Sequence, residues 1–369
     1  MDFEFDEDQE LLRETVRRFL ADQAPISPYV REQLETPSGT SPEVWTGLAE
    51  LGVTGLLVPE DQGGSGMGMV DMAVVLEEMG RTVHPGPFPS TAVAAASLLT
   101  LVGETGGEDG GDGSDLLPEL AAGATRATVV LPVDGDLDAW DVGASGDRLT
   151  GEVPHIADAP AAELLLVVAN TDDGLGVFTV DAGAPGLEVI ATETVDATRK
   201  QGTVALRDTP ARRVGSGDAT VAVAATRDRM IAAAVVDGVG AAEQALALAV
   251  AYAKEREQFG KPIGSFQAVQ HLCAEMLVSV ELGRAAAHYA CWACDGADAA
   301  ERRRAVTMAA AFAGDGFYRV GASAIQVFGG VGFTWEHDIH LFYKRLLTLQ
   351  QYGGPSHTHL ETLATIALS

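Results

Sequence analysis

The chain has 369 residues, of which 47% are hydrophobic and 21% charged, and a formal net charge of −29. Single cores stop growing near about 250–300 residues, so more than one domain is expected, and the apolar content excludes general disorder. The acidic excess argues against nucleic acid, which is held by neutralising phosphates, and against an anionic membrane surface; it describes a solvated acidic shell.

The N-terminus, Met1-Asp2-Phe3-Glu4-Phe5-Asp6, is acidic and unlike a signal or transit peptide. No uninterrupted apolar run reaches the roughly 18 residues needed to span a membrane. Three cysteines, Cys273, Cys291 and Cys294, suit reduced thiols and a cytoplasmic protein. Cys291 and Cys294 form a CxxC inside an Ala-rich helical stretch with no second pair, so packing rather than metal binding is expected.

In chain order, residues 6 to about 101 show helical periodicity. Leu11, Leu12, Val16, Phe19 and Leu20 recur at three- and four-residue spacings, and Pro25 and Pro28 stop that helix. Ser41-Pro42-Glu43 opens a second helix with a serine cap and a proline at its first position, and Gly52 ends it. Val70–Met79 is a third. Residues 103–115 are almost all Gly, Asp and Glu and predict a flexible acidic loop. Short β-prone runs follow at Val129–Leu131, Leu164–Val168, Val177–Val180 and Thr203–Leu206, a spacing that predicts a small antiparallel barrel or sandwich. Long helices are then predicted at Met230–Phe259, Phe266–Cys294, Ala305–Phe328 and Ile339–Gln351, forming a bundle. The expected fold is mainly α with a central β domain. It has an N-terminal helical domain (1–122), a middle antiparallel β-barrel (123–220) and a C-terminal four-helix bundle (221–369).

Four motifs make this order specific: Leu57–Gly66 (LVPEDQGGSG), Glu77–Arg81 (EEMGR), Tyr252–Ile263 (YAKEREQFGKPI) running into Phe266–His271 (FQAVQH), and Gln326–Phe333 (QVFGGVGF). Each resembles the corresponding segment of the acyl-CoA dehydrogenase family, in family order and over nearly the whole chain. The resemblance implies FAD chemistry, in which a carboxylate takes the α-proton of an acyl-CoA thioester and a hydride passes to the flavin. It also implies an electron-transfer flavoprotein as acceptor. In the family, the adenine–pyrophosphate half of each FAD is held by a neighbouring subunit. The matching residues are Arg256, Gln258, Phe259, Gln326, Gly329 and Gly330. Arginine is a fixed, planar cation suited to pyrophosphate, and paired glycines let backbone N–H groups approach it.

The flavin-ring side departs from the family. Where a Trp-Ile-Thr or Trp-Ile-Ser run is usual, the chain has His155-Ile156-Ala157, and the Thr-Glu-Pro loop is reduced to Leu131–Asp136. The C-terminal Tyr-Glu-Gly-Thr is replaced by Tyr352-Gly353-Gly354-Pro355, so the family's base position is Gly353. The alternative position for the base falls near Met230, not on an acid. Asp228 and Asp237 are weak candidates, expected to be solvated or capping acids, and His357 and His359 lie near the altered loop. One half of a flavin site is kept and the other is eroded. That pattern resembles the partner subunit of bacterial heterotetramers, which lends its bundle to FAD seated in a homologous catalytic subunit. Bulky thioesters, including steroid side chains, are the substrates expected by analogy. Two alternatives stay open: a self-sufficient homotetramer with a relocated base, and a lyase, cyclase or scaffold without redox chemistry.

Overall fold

The computed structural model describes residues 5–105, 113, 115–131, 133 and 140–368. It is mostly helical with a central sheet, and it divides into two compact units. One comprises Tyr29–Met72 and Pro85–Met230; the other comprises Met1–Pro28, Ala73–His84 and Ile231–Ser369. Two of the four boundaries fall within α-helices, α4 (Met69–Arg81) and α7 (Thr220–Glu255).

The elements before the sheet are α1 (Glu7–Gln23), α2 (Arg31–Gln33), α3 (Pro42–Glu50), α4, α5 (Ala96–Thr105) and α6 (Leu117–Ala121). Asp6 and Gln9 form a capping box at the start of α1. The Ser41 hydroxyl accepts the Val44 N–H at 3.3 Å and Pro42 fills the first turn of α3, as expected. A buried π-helical segment, Pro89–Ala95, leads into α5. Most of the expected acidic loop at 103–115 lies outside the described residues.

The sheet holds β1 (Ala127–Val130), β2 (Gly143–Ser145), β3 (Arg148–Ala157), β4 (Leu164–Thr171), β5 (Gly174–Asp181), β6 (Leu187–Thr192), β7 (Gln201–Pro210) and β8 (Arg212–Val214). Its path is β6-β7-β3-β2-β4-β5-β8, with β1 beside β4. The expectation of an all-antiparallel barrel is corrected on direction: β1 and β2 both run parallel to β4. The β2–β3 hairpin lies between β1 and β4 and supplies the long crossover that a parallel pair requires. The path is open, and no pair joins β6 to β8 among the described residues. β4 reads as a continuous apolar run because both its faces are covered. Leu164, Leu166 and Val168 join one core with α5 and the start of α7; Leu165, Val167 and Ala169 join a second with β3, β5 and β7.

The other unit carries the helices expected at the C-terminus. These are α7, α8 (Gln267–Gly296), α9 (Ala299–Phe328) and α10 (Ile339–Leu349), followed by a further helix, α11 (Ser356–Leu368). α8, α10 and α11 all pack on α9. α7 is long and apolar enough to cross a membrane, although the sequence shows no unbroken run of that length; 67% of its most apolar stretch is buried in the protein, as in a core helix. The expected extension of this helix to Phe259 is corrected: it ends at Glu255, and the chain turns back through a hairpin of β9 (Glu257–Gln258) and β10 (Lys261–Pro262).

The EEMGR motif is absorbed by this packing. Gly80 and Gly240 sit against the backbone carbonyls of Asp237 and Glu77, leaving no room for a Cβ on either helix. Glu77 pairs with Arg284 and His288, Glu78 with Arg17, and Arg81 with Glu243. Burial by itself would raise the Glu77 carboxyl, but His288 and Arg284 outweigh it and hold it below the ordinary carboxylate value. Cys291 and Cys294 are buried in α8, where burial raises the Cys291 thiol, and no cluster of possible metal ligands occurs among the described residues.

Candidate functional site

The residues expected to meet the adenine–pyrophosphate half of a flavin lie at two chain segments. Arg256, Gln258 and Phe259 follow the C-terminus of α7. Gln326 ends α9, and Gly329 and Gly330 follow it. Tyr252, in the last turn of α7, stacks on Phe328 at 4.4 Å between ring centroids, so both segments share one end of the helical unit.

The hairpin explains why YAKEREQFGKPI has this composition. Gln258 pairs with Lys261, leaving Phe259 and Gly260 as the two turn residues, with φ of +54° and +75°. Two left-handed residues in succession make a primed turn, which fits the twist of a two-stranded hairpin. Glycine adopts this conformation freely, whereas phenylalanine does so at a cost of about 1–2 kcal/mol. The turn leaves Phe259 92% exposed, with Phe266 edge-on to its ring at 6.1 Å between centroids. Lys261 Nζ sits 4.3 Å over the Phe266 ring. The backbone of Arg256 is fixed on both sides: its N–H donates to Tyr252 O at 2.8 Å and its carbonyl accepts from Ile263 N at 2.7 Å. Its side chain is exposed, with no hydrogen bond or ion pair among the described residues. Gln258 folds its Nε2 onto the Glu257 carbonyl at 2.8 Å. Gln326 is exposed. Gly329 has φ of +63°, and neither it nor Gly330 has any atom within 4 Å of where a Cβ would stand. A cation, an amide and an open glycine backbone are groups that can donate to a diphosphate, and the uncovered aromatic ring can pack on a flat base.

The candidate bases are placed very differently. Gly353 has φ of +73°, and a Cβ there would lie 2.9 Å from Ile231 Cγ1 and 3.7 Å from His359 Cε1. The expectation that Asp228 and Asp237 are solvated is corrected: they are only 2% and 4% exposed. α7 is apolar on most of its faces, so acids along it are carried inward. Asp237 is the partner of buried Arg345, at 2.8 Å from each carboxylate oxygen. His357 is exposed, whereas His359 is buried and its ring is held below the ordinary histidine value, first by burial and then by the charge of Arg303. On the flavin-ring side, His155 is exposed with φ of +60°, at the register irregularity that accommodates Pro154 in β3. The Ala157 carbonyl accepts from Thr128 Oγ1 at 2.6 Å. Pro132 and residues 134–136 of the reduced loop lie outside the described residues. Sequence reasoning missed Arg345 and Ile231, since each acts on a residue more than 100 positions away.

The fold, mostly helical with a central sheet, is that of the acyl-CoA dehydrogenases. The profile of the acyl-CoA dehydrogenase N-terminal domain matches residues 6–123, and that of the acyl-CoA dehydrogenase C-terminal domain matches residues 215–368. The chain is 34% identical to acyl-CoA dehydrogenase IpdE2 of Mycolicibacterium smegmatis, over 97% of this chain and 98% of that one. It is similar to a variant of the Tcur3481–Tcur3483 steroid ACAD, at a TM-score of 0.87 and 32% identity over 98% of each chain. It is also similar to the ChsE4–ChsE5 complex of Mycobacterium tuberculosis, at a TM-score of 0.88 and 27% identity, over 100% of this chain and 99% of that one. The chain belongs to the acyl-CoA dehydrogenase family, oxidoreductases that act on acyl-CoA with FAD as cofactor.

Proposed function

We propose that this chain is the partner subunit of a hetero-oligomeric acyl-CoA dehydrogenase. Arg256, Gln258, Phe259, Gln326, Gly329 and Gly330 contact the adenine–pyrophosphate half of an FAD seated in a homologous catalytic subunit. That subunit supplies the flavin-ring contacts and the base for α,β-dehydrogenation of the acyl-CoA thioester. The observation that carries this reading is a contrast within one unit. The Arg256–Phe259 hairpin presents its binding groups outward, uncovered by its own chain. The base position, meanwhile, is a left-handed glycine against Ile231. FAD supplies the hydride acceptor when bound; the residues of this chain orient its diphosphate and cover its adenine end.

The heteromeric assemblies named among the similar structures support a homologous partner, and the steroid ACAD among them supports a bulky acyl group. Electron-transfer flavoprotein is the proposed electron acceptor and the cytoplasm the proposed compartment. The family profiles end at 123 and resume at 215, which supports a division into three domains near 122 and 220. The closed barrel and the four-helix bundle belong to the same proposal. The self-sufficient homotetramer is less well supported, because Asp237 is committed to Arg345.

The test is flavin absorbance and turnover of the pure chain, compared with the chain co-purified with a homologous subunit encoded beside it. The expected result is little flavin and no turnover alone, and both in the complex. Stoichiometric FAD with turnover from the single chain would reject the partner role. A complex that assembles yet stays colourless would point to the non-redox alternative.

A further inference from the structure

The last helix, α11, is held unlike the other helices of its unit. It packs on α9, yet its only buried residues are Ser356 and His359. Leu360 and Leu368 are 56% and 89% exposed, while Leu363 and Ile366 are half-buried. No apolar side chain of the helix is fully buried, so hydrophobic burial contributes less to its docking than in a core helix. Both buried side chains also keep a polar atom without a hydrogen-bond partner, Ser356 Oγ and His359 Nε2. The chain enters α11 through two consecutive left-handed glycines, Gly353 and Gly354, with φ of +73° and +104°. Such a pair can reorient without the steric penalty other residues would meet.

The surroundings of His359 are those of a neutral ring. Burial and the positive charge of Arg303 from α9 outweigh one bond, to the Gly354 backbone, that favours the protonated ring, and α7 contributes the apolar Ile231 beside Gly353. No carboxylate is among the described groups that act on the ring. We propose that α11 is a proton-released arm: it stays docked on α9 while His359 is neutral, and swings out on Gly353–Gly354 when His359 takes up a proton.

Protonation would place a new N–H at Nε2 with no acceptor, inside the protein, beside a guanidinium and in the first turn of a helix whose dipole repels cations. Burial, and then Arg303, accordingly hold the docked ring below its ordinary value. The released ring titrates near about 6.5. Docking is therefore complete above that pH. It weakens as the pH falls, approaching a limiting slope of about tenfold per pH unit for a single linked proton, until the docked ring itself titrates.

Hydrogen exchange of the full chain, followed by mass spectrometry and corrected for intrinsic exchange rates, tests this between pH 7.5 and 5.5. Protection of residues 356–368 should fall by up to about fivefold between pH 6.5 and 5.5, while α8 keeps its protection. His359→Gln should abolish that pH step, and Arg303→Gln should reduce it. Constant protection of α11 in the unmodified chain would overturn the proposal. So would an equal loss in His359→Gln, or a simultaneous loss in α8. Should His359→Gln fail to fold, Arg303→Gln decides: a smaller loss supports the arm and an unchanged loss rejects it.

Discussion

Arg345 Nη1 lies 2.8 Å from each carboxylate oxygen of Asp237, and both side chains are buried, 108 residues apart in sequence. The other arm of the guanidinium, Nη2, donates to the Val83 and His84 carbonyls at 3.3 Å. This pair therefore ties α7 and α10 to the turn after α4. A carboxylate held by two charge-assisted bonds is a poor proton acceptor, because protonating it would leave the guanidinium uncompensated in the interior.

Asp237→Asn should accordingly behave as a stability mutant. Breaking one side of a buried pair costs about 3–5 kcal/mol. Urea unfolding should show that loss, while turnover per bound flavin in the assembled complex stays near the parent value. Asp228→Asn should likewise leave turnover per flavin nearly unchanged. Loss of turnover in either variant with flavin retained would favour a self-sufficient enzyme with a relocated base.

Arg256→Ala should strip flavin from the complex although this chain holds no complete site. A charge-assisted contact contributes about 1.5–3 kcal/mol, or roughly ten- to a hundredfold in affinity. Arg256→Lys should recover only part, since an ammonium keeps the charge and loses the planar fork. Flavin content after gel filtration reads the difference, and full retention in Arg256→Ala contradicts the lending of this residue.

Phe259→Asn should separate stability from function. Asparagine tolerates the left-handed turn that phenylalanine adopts at a cost, so the chain alone should gain up to about 1 kcal/mol. The complex should lose flavin affinity together with the ring. A rise in melting temperature paired with lower flavin content is the expected result. Unchanged flavin would show that the exposed ring has another purpose.

Gly353→Glu should not create an active enzyme. The new side chain must adopt a left-handed backbone and would meet Ile231 at 2.9 Å. Overpacking of this kind costs about 1–3 kcal/mol beyond the backbone strain. A less stable chain without acyl-CoA turnover is expected, measured by thermal unfolding and dye reduction. Turnover from the variant without a partner would mean that the flavin-ring contacts are intact after all.

What the sequence determined by itself was local. The Ser41 cap, the apolar periodicity of the long helices and the unbroken apolar run of β4 are set by neighbours a few residues apart, and they were legible in order. The expected FAD contacts came from the family resemblance of two contiguous motifs, Arg256–Phe259 and Gln326–Gly330, which the structure brings to one end of the helical unit; the turn at Phe259 was not foreseen. β2, β3, β6 and β8 were not predicted: Gly151 and Pro154 interrupt the β signal in β3, β6 is largely exposed, and β2 and β8 have only three residues each. The parallel pairing of β1 with β4 was equally hidden, since direction depends on the crossover between them. Tertiary structure alone decided the rest. It turned Asp237 from a candidate base into half of an ion pair, set Ile231 against Gly353, and buried His359 in an otherwise exposed helix. Each of those outcomes depends on which distant side chain shares a low-dielectric interior, and no local pattern encodes that neighbour.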